Sequence, residues 1–252
     1  MMDFSLPPPA IIIPAAPKLI VPDFNKLIIP ALGGSFASLL NQEEVAAAAS
    51  PPQMVTQAVS NSGGGTSSTK TATLPASLVS GNLLIMYVRE RVTSNNIFTP
   101  PSGWNEIYDT NGTGLFWKQS NGAEGASTTY GGGSNRGANA VLQISGWRSS
   151  AGAAAIEFTV ASGTSTNPDP PSETPSWTDP TLFVVFEGSG ATTNTTAGPS
   201  GYSNFQNSKA SNDPNASSAT KQVTVGAAEN PGIFTNAGSQ SWTAITLAVR
   251  AA

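Results

Sequence analysis

The chain has 252 residues, of which 38% are hydrophobic and only 10% charged, with a formal net charge of −4 at pH 7. It has neither cysteine nor histidine, which excludes disulfides, thiolate nucleophiles, Ser-His-Asp or Cys-His catalysis, and zinc sites built on those ligands. Its 11 basic residues fall singly, so nucleic acid is not an expected partner, and no run of ~18 apolar residues is present to span a membrane.

The first ten residues, MMDFSLPPPA, place an acid where a signal peptide needs positive charge and then interrupt the apolar region with prolines, so no secretion signal is read. A short repeat follows: IIIPAAPK, LIVPDFNK, LIIPALGG, with Pro14, Pro22 and Pro30 at a constant step. Proline fixes φ, lacks an N–H and pushes the preceding residue into extended conformation. Residues 1–34 are therefore predicted to be an extended arm, each eight-residue unit reaching about 26 Å at strand-like rise. Its aliphatic clusters, Ile11, Ile12, Ile13, then Leu19, Ile20, Val21, then Leu27, Ile28, Ile29, cannot bury themselves against one another. With the prolines that follow them they are the candidate partner-anchoring residues. The arm either docks in repeated grooves of a partner or of sister subunits, or wraps its own domain. The regular repeat favours docking.

Residues 35–50 read as a short helix, capped by Ser35 and ended by Ser50-Pro51-Pro52. Residues 51–68 read as a linker with a candidate first strand near 54–59. From 69 to 252 short β-like runs alternate with Gly, Asn, Ser and Pro clusters, the clearest at 81–90, 113–119, 138–147, 155–161, 181–187, 221–225 and 241–250. No helical pattern separates them, and the surface is Ser, Thr, Asn and Gly in place of the charges that long helices use. The expected fold is all-β, an antiparallel, jelly-roll-like β-sandwich.

An internal duplication predicts two related halves. PSGW at 101–104 recurs as PSGY at 199–202, 98 residues on (199 less 101), and at that offset LIMYV at 84–88 falls on LFVVF at 182–186. A later strand recurs at an offset of 105, AVLQI at 140–144 against ITLAV at 245–249. The Pro-Ser-Gly step reverses the chain, and the aromatic after it, Trp104 or Tyr202, is expected to close the end of a core. The halves either pair into one sandwich or form two lobes.

Candidate chemistry is sparse. Glu90, Glu106, Asp109, Glu124, Glu157 and Glu187 lie in or near strands, but no motif makes any two a catalytic pair, and no enzymatic activity is expected. The oxygen-rich loops 167–169 and 212–215 lack calcium-loop spacing and read as turns. The glycine runs 63–65 and 131–133 lack the Lys and helix of a phosphate loop. No cofactor or metal is implied. Aromatic residues are numerous relative to charge, and the loop-borne Tyr130 and Trp177 are the candidates for glycan contact.

The run LPASLVSGNLLIMYV, then TPPSGWNEI, GANAVLQISGW, GPSGYSNF and SWTAITLAVR, resembles a β-sandwich module of bacteriophage virion proteins of the capsid-decoration, head-fibre and tail-fibre type, over about residues 69–252. The proline-rich arm resembles segments that anchor phage appendages. The resemblance implies a structural virion component, assembled in the host cytoplasm and attached to capsid, portal, connector or tail proteins, with symmetric, for instance trimeric, self-association. The alternative is a carbohydrate-binding module for host-surface glycans.

Overall fold

Strand formation here follows the distribution of β-branched and aromatic residues between turn-forming Gly, Asn, Ser and Pro. The computed structural model describes residues 49–62, 67–91, 94–189, 194–208 and 213–252. The arm at 1–34 and nearly all of the segment read as a helix at 35–50 lie outside the described residues.

In chain order the strands are β1 (Gln53–Asn61), β2 (Thr69–Thr73), β3 (Leu83–Glu90), β4 (Asn105–Thr110), β5 (Thr113–Gln119), β6 (Ser127–Gly131) and β7 (Gly137–Ser145). After a short 3-10 segment, Ser149–Ala155, come β8 (Ile156–Ser165), β9 (Thr181–Ser189), β10 (Thr195–Ala197), β11 (Ser203–Ser208), β12 (Asn215–Val223), β13 (Thr235–Asn236) and β14 (Gln240–Arg250). Among the described residues no helix is long and apolar enough to cross a membrane.

Two five-stranded antiparallel sheets result, ordered β1-β7-β3-β5-β4 and β8-β14-β9-β12-β11. The two orders are the same order. β1 answers to β8, β3 to β9, β4 and β5 to β11 and β12, and β7 to β14. Each half of the chain builds one sheet, and the sheets pack face to face into a single sandwich. Between them lie Leu83, Ile85, Tyr87, Leu142 and Ile144 from the first sheet and Leu182, Val184, Phe186, Ile245, Leu247 and Val249 from the second. At the centre the Tyr87 and Phe186 rings stack, with centroids 5.0 Å apart and planes within 6°.

The outer faces are covered too. Leu84, Met86, Val88, Phe116 and Val141 lie beneath Ala72 of β2, Tyr130 of β6, Leu74, Phe98 and Trp104. On the second sheet Phe183 and Ala248 pack under Trp177, while Val185 and Ala219 pack under Phe234. Small two-stranded sheets, β2-β6 and β10-β13, belong to these covers. A strand with neighbours on both faces needs no polar positions. This is why Leu83–Val88 of β3 and Leu182–Phe186 of β9 read as unbroken apolar runs, and both strands are buried along their whole length.

The duplication is present, but its strand alignment shifts by one residue. Ile85 and Tyr87 face the inter-sheet core, as do Val184 and Phe186, whereas Leu84 and Met86 face outward with Phe183 and Val185. The equivalent offset in β3 and β9 is therefore 99 (186 less 87), not 98, because a shift of one residue exchanges the two faces of a strand. The offset of 105 between β7 and β14 agrees with this register: Leu83 pairs with Ile144, and Leu182 with Val249. The turns do keep 98. The Trp104 N–H donates to the Pro101 carbonyl at 3.0 Å and the Tyr202 N–H to the Pro199 carbonyl at 3.2 Å. Gly103 and Gly201 both sit at positive φ, 77° and 79°. The segment joining strand to turn is one residue shorter in the second half.

The candidate first strand near 54–59 is present as β1, and the run at 221–225 changes. The first strand is an edge strand of the first sheet, so the sandwich begins at Gln53. The run at 221–225 is only the end of β12, which starts at Asn215 and whose first six residues, NASSAT, are all buried. Small hydroxylated and methyl side chains fit there, between the inter-sheet core and the outer cover, without any apolar signature.

Candidate functional site

Tyr130 is in β6 and only 2% exposed; its ring packs against Phe98 with centroids 6.1 Å apart. Trp177 is 5% exposed, donates its indole N–H to Thr181 Oγ1 at 2.9 Å and lies under the Arg250 guanidinium, 5.6 Å from the ring centroid. The expectation that these two rings face solvent is therefore corrected. Apolar surface on the outside of each sheet has to be covered, and these rings are part of the cover. The remaining tryptophans are similarly engaged: Trp104, Trp147 and Trp242 are buried, and Trp117 packs edge-on against Trp147. The twelve partner-anchoring candidates between Ile11 and Pro30 lie outside the described residues.

The two fully buried carboxylates, Glu187 and Glu90, are separated by the architecture. Glu187 points outward from β9 and is fully buried beneath β10 and β13. It accepts hydrogen bonds from Ser189 Oγ, from Thr195 Oγ1 at 2.6 Å and from Asn215 Nδ2 at 2.7 Å, with Asn236 Nδ2 at 3.4 Å. Burial raises its pKa and these donors oppose the rise. The network ties β9, β10, β12 and β13 together with neutral donors.

Glu90 points outward from β3, on the other side of the molecule, against Gly132 and Gly133. Burial pushes its carboxyl up to about 7, against the pull of the nearby Lys70 ammonium. Lys70 is itself buried and donates to the Ser67 carbonyl at 2.8 Å and to the Asn135 carbonyl. With a sheet pair between them, Glu90 and Glu187 cannot act on one substrate.

The other acids have local duties. Asp109 receives the Phe98 N–H at 2.8 Å, and Glu157 the Ser176 N–H at 2.7 Å. Glu124 is partly desolvated, but the Asn121 N–H, the Lys118 ammonium at 3.1 Å and the Ser120 hydroxyl outweigh this and hold its pKa down to about 2. Of the oxygen-rich run at 212–215, Asp213 pairs with Arg136 at 2.7 Å and Asn215, the first residue of β12, belongs to the Glu187 network. Among the described residues no group of three or more His, Cys, Asp or Glu is placed to hold a metal.

One arrangement was not singled out from the sequence. Along β3 the positions facing the other sheet run Leu83, Ile85, Tyr87, then Arg89. Along β8 they run Ile156, Phe158, Val160, then Ser162 and Thr164; along β14 they run Val249, Leu247, Ile245, then Thr243 and Ser241. All three strands change from apolar to polar at the same end of the sandwich. A cleft of about 280 Å³ opens there, lined by Arg89, Asn111, Ser162, Thr164, Ser241 and Thr243. Gly188 makes room for the arginine, since a Cβ at that position would come within 2.8 Å of Arg89 Cγ. The signal was legible as I-x-F-x-V-x-S-x-T in one strand and S-x-T-x-I-x-L-x-V in another, but nothing in one dimension says that their polar ends adjoin.

No family model, no curated protein and no solved structure matches this chain.

Proposed function

We propose that the protein is a structural virion component that attaches through its N-terminal segment and displays the β-sandwich outward as a non-catalytic body. The observation that carries this reading is the self-sufficiency of the sandwich. The inner face of each sheet is covered by the other sheet, and the outer face of each is covered from within its own half of the chain. Among the described residues the exposed large apolar side chains are Val55, Val79, Val225 and Ile233, which lie in separate parts of the sequence. They do not make a receptor for three aliphatic triplets, so the apolar content of Ile11–Ile13, Leu19–Val21 and Leu27–Ile29 calls for a partner. The repeat matches what a symmetric assembly offers: the same groove presented several times.

The test compares the full chain with residues 49–252. The full chain is expected to sediment as an assembly and the shorter one as a monomer. Particles formed with the full chain should carry it, accessible to an antibody against the sandwich, and particles formed with residues 49–252 should lack it. Incorporation of both to the same level overturns the reading.

A further inference from the structure

The cleft at the end of the sandwich holds a buried charged group that makes no salt bridge among the described residues. Arg89 is 3% exposed and has no carboxylate within 4 Å among the described residues. Its Nη1 donates to the Asn111 carbonyl and to Thr113 Oγ1 at 3.0 Å, and its buried Nε has no acceptor. Uncompensated burial of a cation is costly. The more exposed cations are paired: Arg250 and Arg148 share Asp179, Arg136 holds Asp213, and Lys221 holds Glu229. Buried Lys70 makes no salt bridge among the described residues but lies near enough to Glu90 to pull on its carboxyl.

The walls around Arg89 combine hydroxyl side chains with Gly163 and the Trp242 ring. Ser162, Thr164 and Ser241 are solvent-exposed on the face that looks into the cleft, and Thr164 Oγ1 lies 3.4 Å from Ser241 Oγ. Beneath them the Tyr87 hydroxyl donates to the Thr243 carbonyl at 3.2 Å, above the Tyr87–Phe186 stack. The floor is therefore rigid, and the exposed hydroxyls remain able both to donate and to accept.

We propose that this cleft binds a sugar acid, with Arg89 holding its carboxylate and Ser162, Thr164 and Ser241 exchanging hydrogen bonds with its hydroxyl groups. With Nη1 engaged and Nε buried, Arg89 meets a carboxylate through its remaining amino group, as a charge-assisted hydrogen bond. Among the described residues Arg89 is the sole charged residue lining the cleft, which suits a monoanion better than a phosphate dianion or a polyacidic peptide. Several hydroxyls at one level suit a polyhydroxylated ring better than an aliphatic acid. The inference does not rest on the virion reading, because a display body with or without a particle would present the same cleft.

The test is saturation-transfer NMR on the full chain with D-glucuronate, D-glucose and acetate. Transfer is expected to glucuronate and to be at least tenfold weaker for glucose and acetate. Arg89→Gln should abolish it. Because Arg89 is buried and its loss bears on folding, Ser162→Tyr serves as the second variant: position 162 is exposed, and the added ring fills the cleft. It should weaken glucuronate binding at least tenfold without moving the melting temperature. No transfer to glucuronate, equal transfer to glucose or to acetate, or undiminished binding by a folded Ser162→Tyr protein overturns the proposal.

Discussion

Glu90 and Arg89 are adjacent in sequence, yet alternation in β3 sends one to the outer cover and the other into the inter-sheet space. Their electrostatic consequences differ accordingly. The Glu90 carboxyl is raised from its ordinary 4.5 to about 7, so the folded state holds this proton over a range where the unfolded chain has lost it. Its contribution to stability is fully present below about pH 4.5 and is lost as pH rises toward 7. Glu187, also raised, works in the same direction. Thermal melts of the wild type should therefore fall between pH 5 and pH 7, and Glu90→Gln should flatten that fall. An unchanged slope in the variant would show that Glu90 titrates normally.

At the scale of elements, the two Pro-Ser-Gly turns are the same device used twice. Gly103 and Gly201 sit at φ near +78°, and a Cβ at either would meet nothing within 4 Å. Any cost of substitution is thus backbone strain alone, which for a non-glycine residue in this region is about 1–2 kcal/mol. Gly103→Ala and Gly201→Ala should each lower unfolding stability by about that amount in urea titration, with similar values because the turns are alike. A neutral result at either would mean that the turn relaxes. The same repetition explains what was legible at this scale. β3, β5, β7, β8, β9 and β14 carry enough apolar residues to stand out, whereas β2, β4, β6, β10, β11 and β13 are short and mostly polar. Those six are strands because a neighbour supplies the hydrogen-bond ladder, and their own composition carries little of that information.

For the whole molecule, the decisive contact is between halves. Tyr87 belongs to the first sheet and Phe186 to the second, and their stacked rings occupy equivalent places in the duplicated register. Arg136–Asp213 and the Ser218–Gln57 hydrogen bond of 2.8 Å also join the halves. Removing a central ring should therefore loosen both sheets together. Phe186→Ala is expected to cost about 3–5 kcal/mol, to keep a single unfolding transition, and to increase hydrogen exchange in β3 as much as in β9. Loss of protection confined to β9 would mean that the halves are energetically separate lobes.

Composition and spacing alone determined the class: few charges, many turn residues and short apolar runs leave a β-sandwich as the way to bury this chain, and the repeated turn marks two halves. Which face each residue takes was beyond them. A strand with period two changes faces with a slip of one residue, and β3 and β9 are apolar on both sides, so their alternation carries no mark of register. The tertiary structure decided that the halves face each other, that Tyr130 and Trp177 are cover, and that three polar strand ends meet around Arg89. That last decision is physical in origin: antiparallel pairing brings residues distant in sequence to one level, and only the level shows that a buried cation and a ring of hydroxyls share a space.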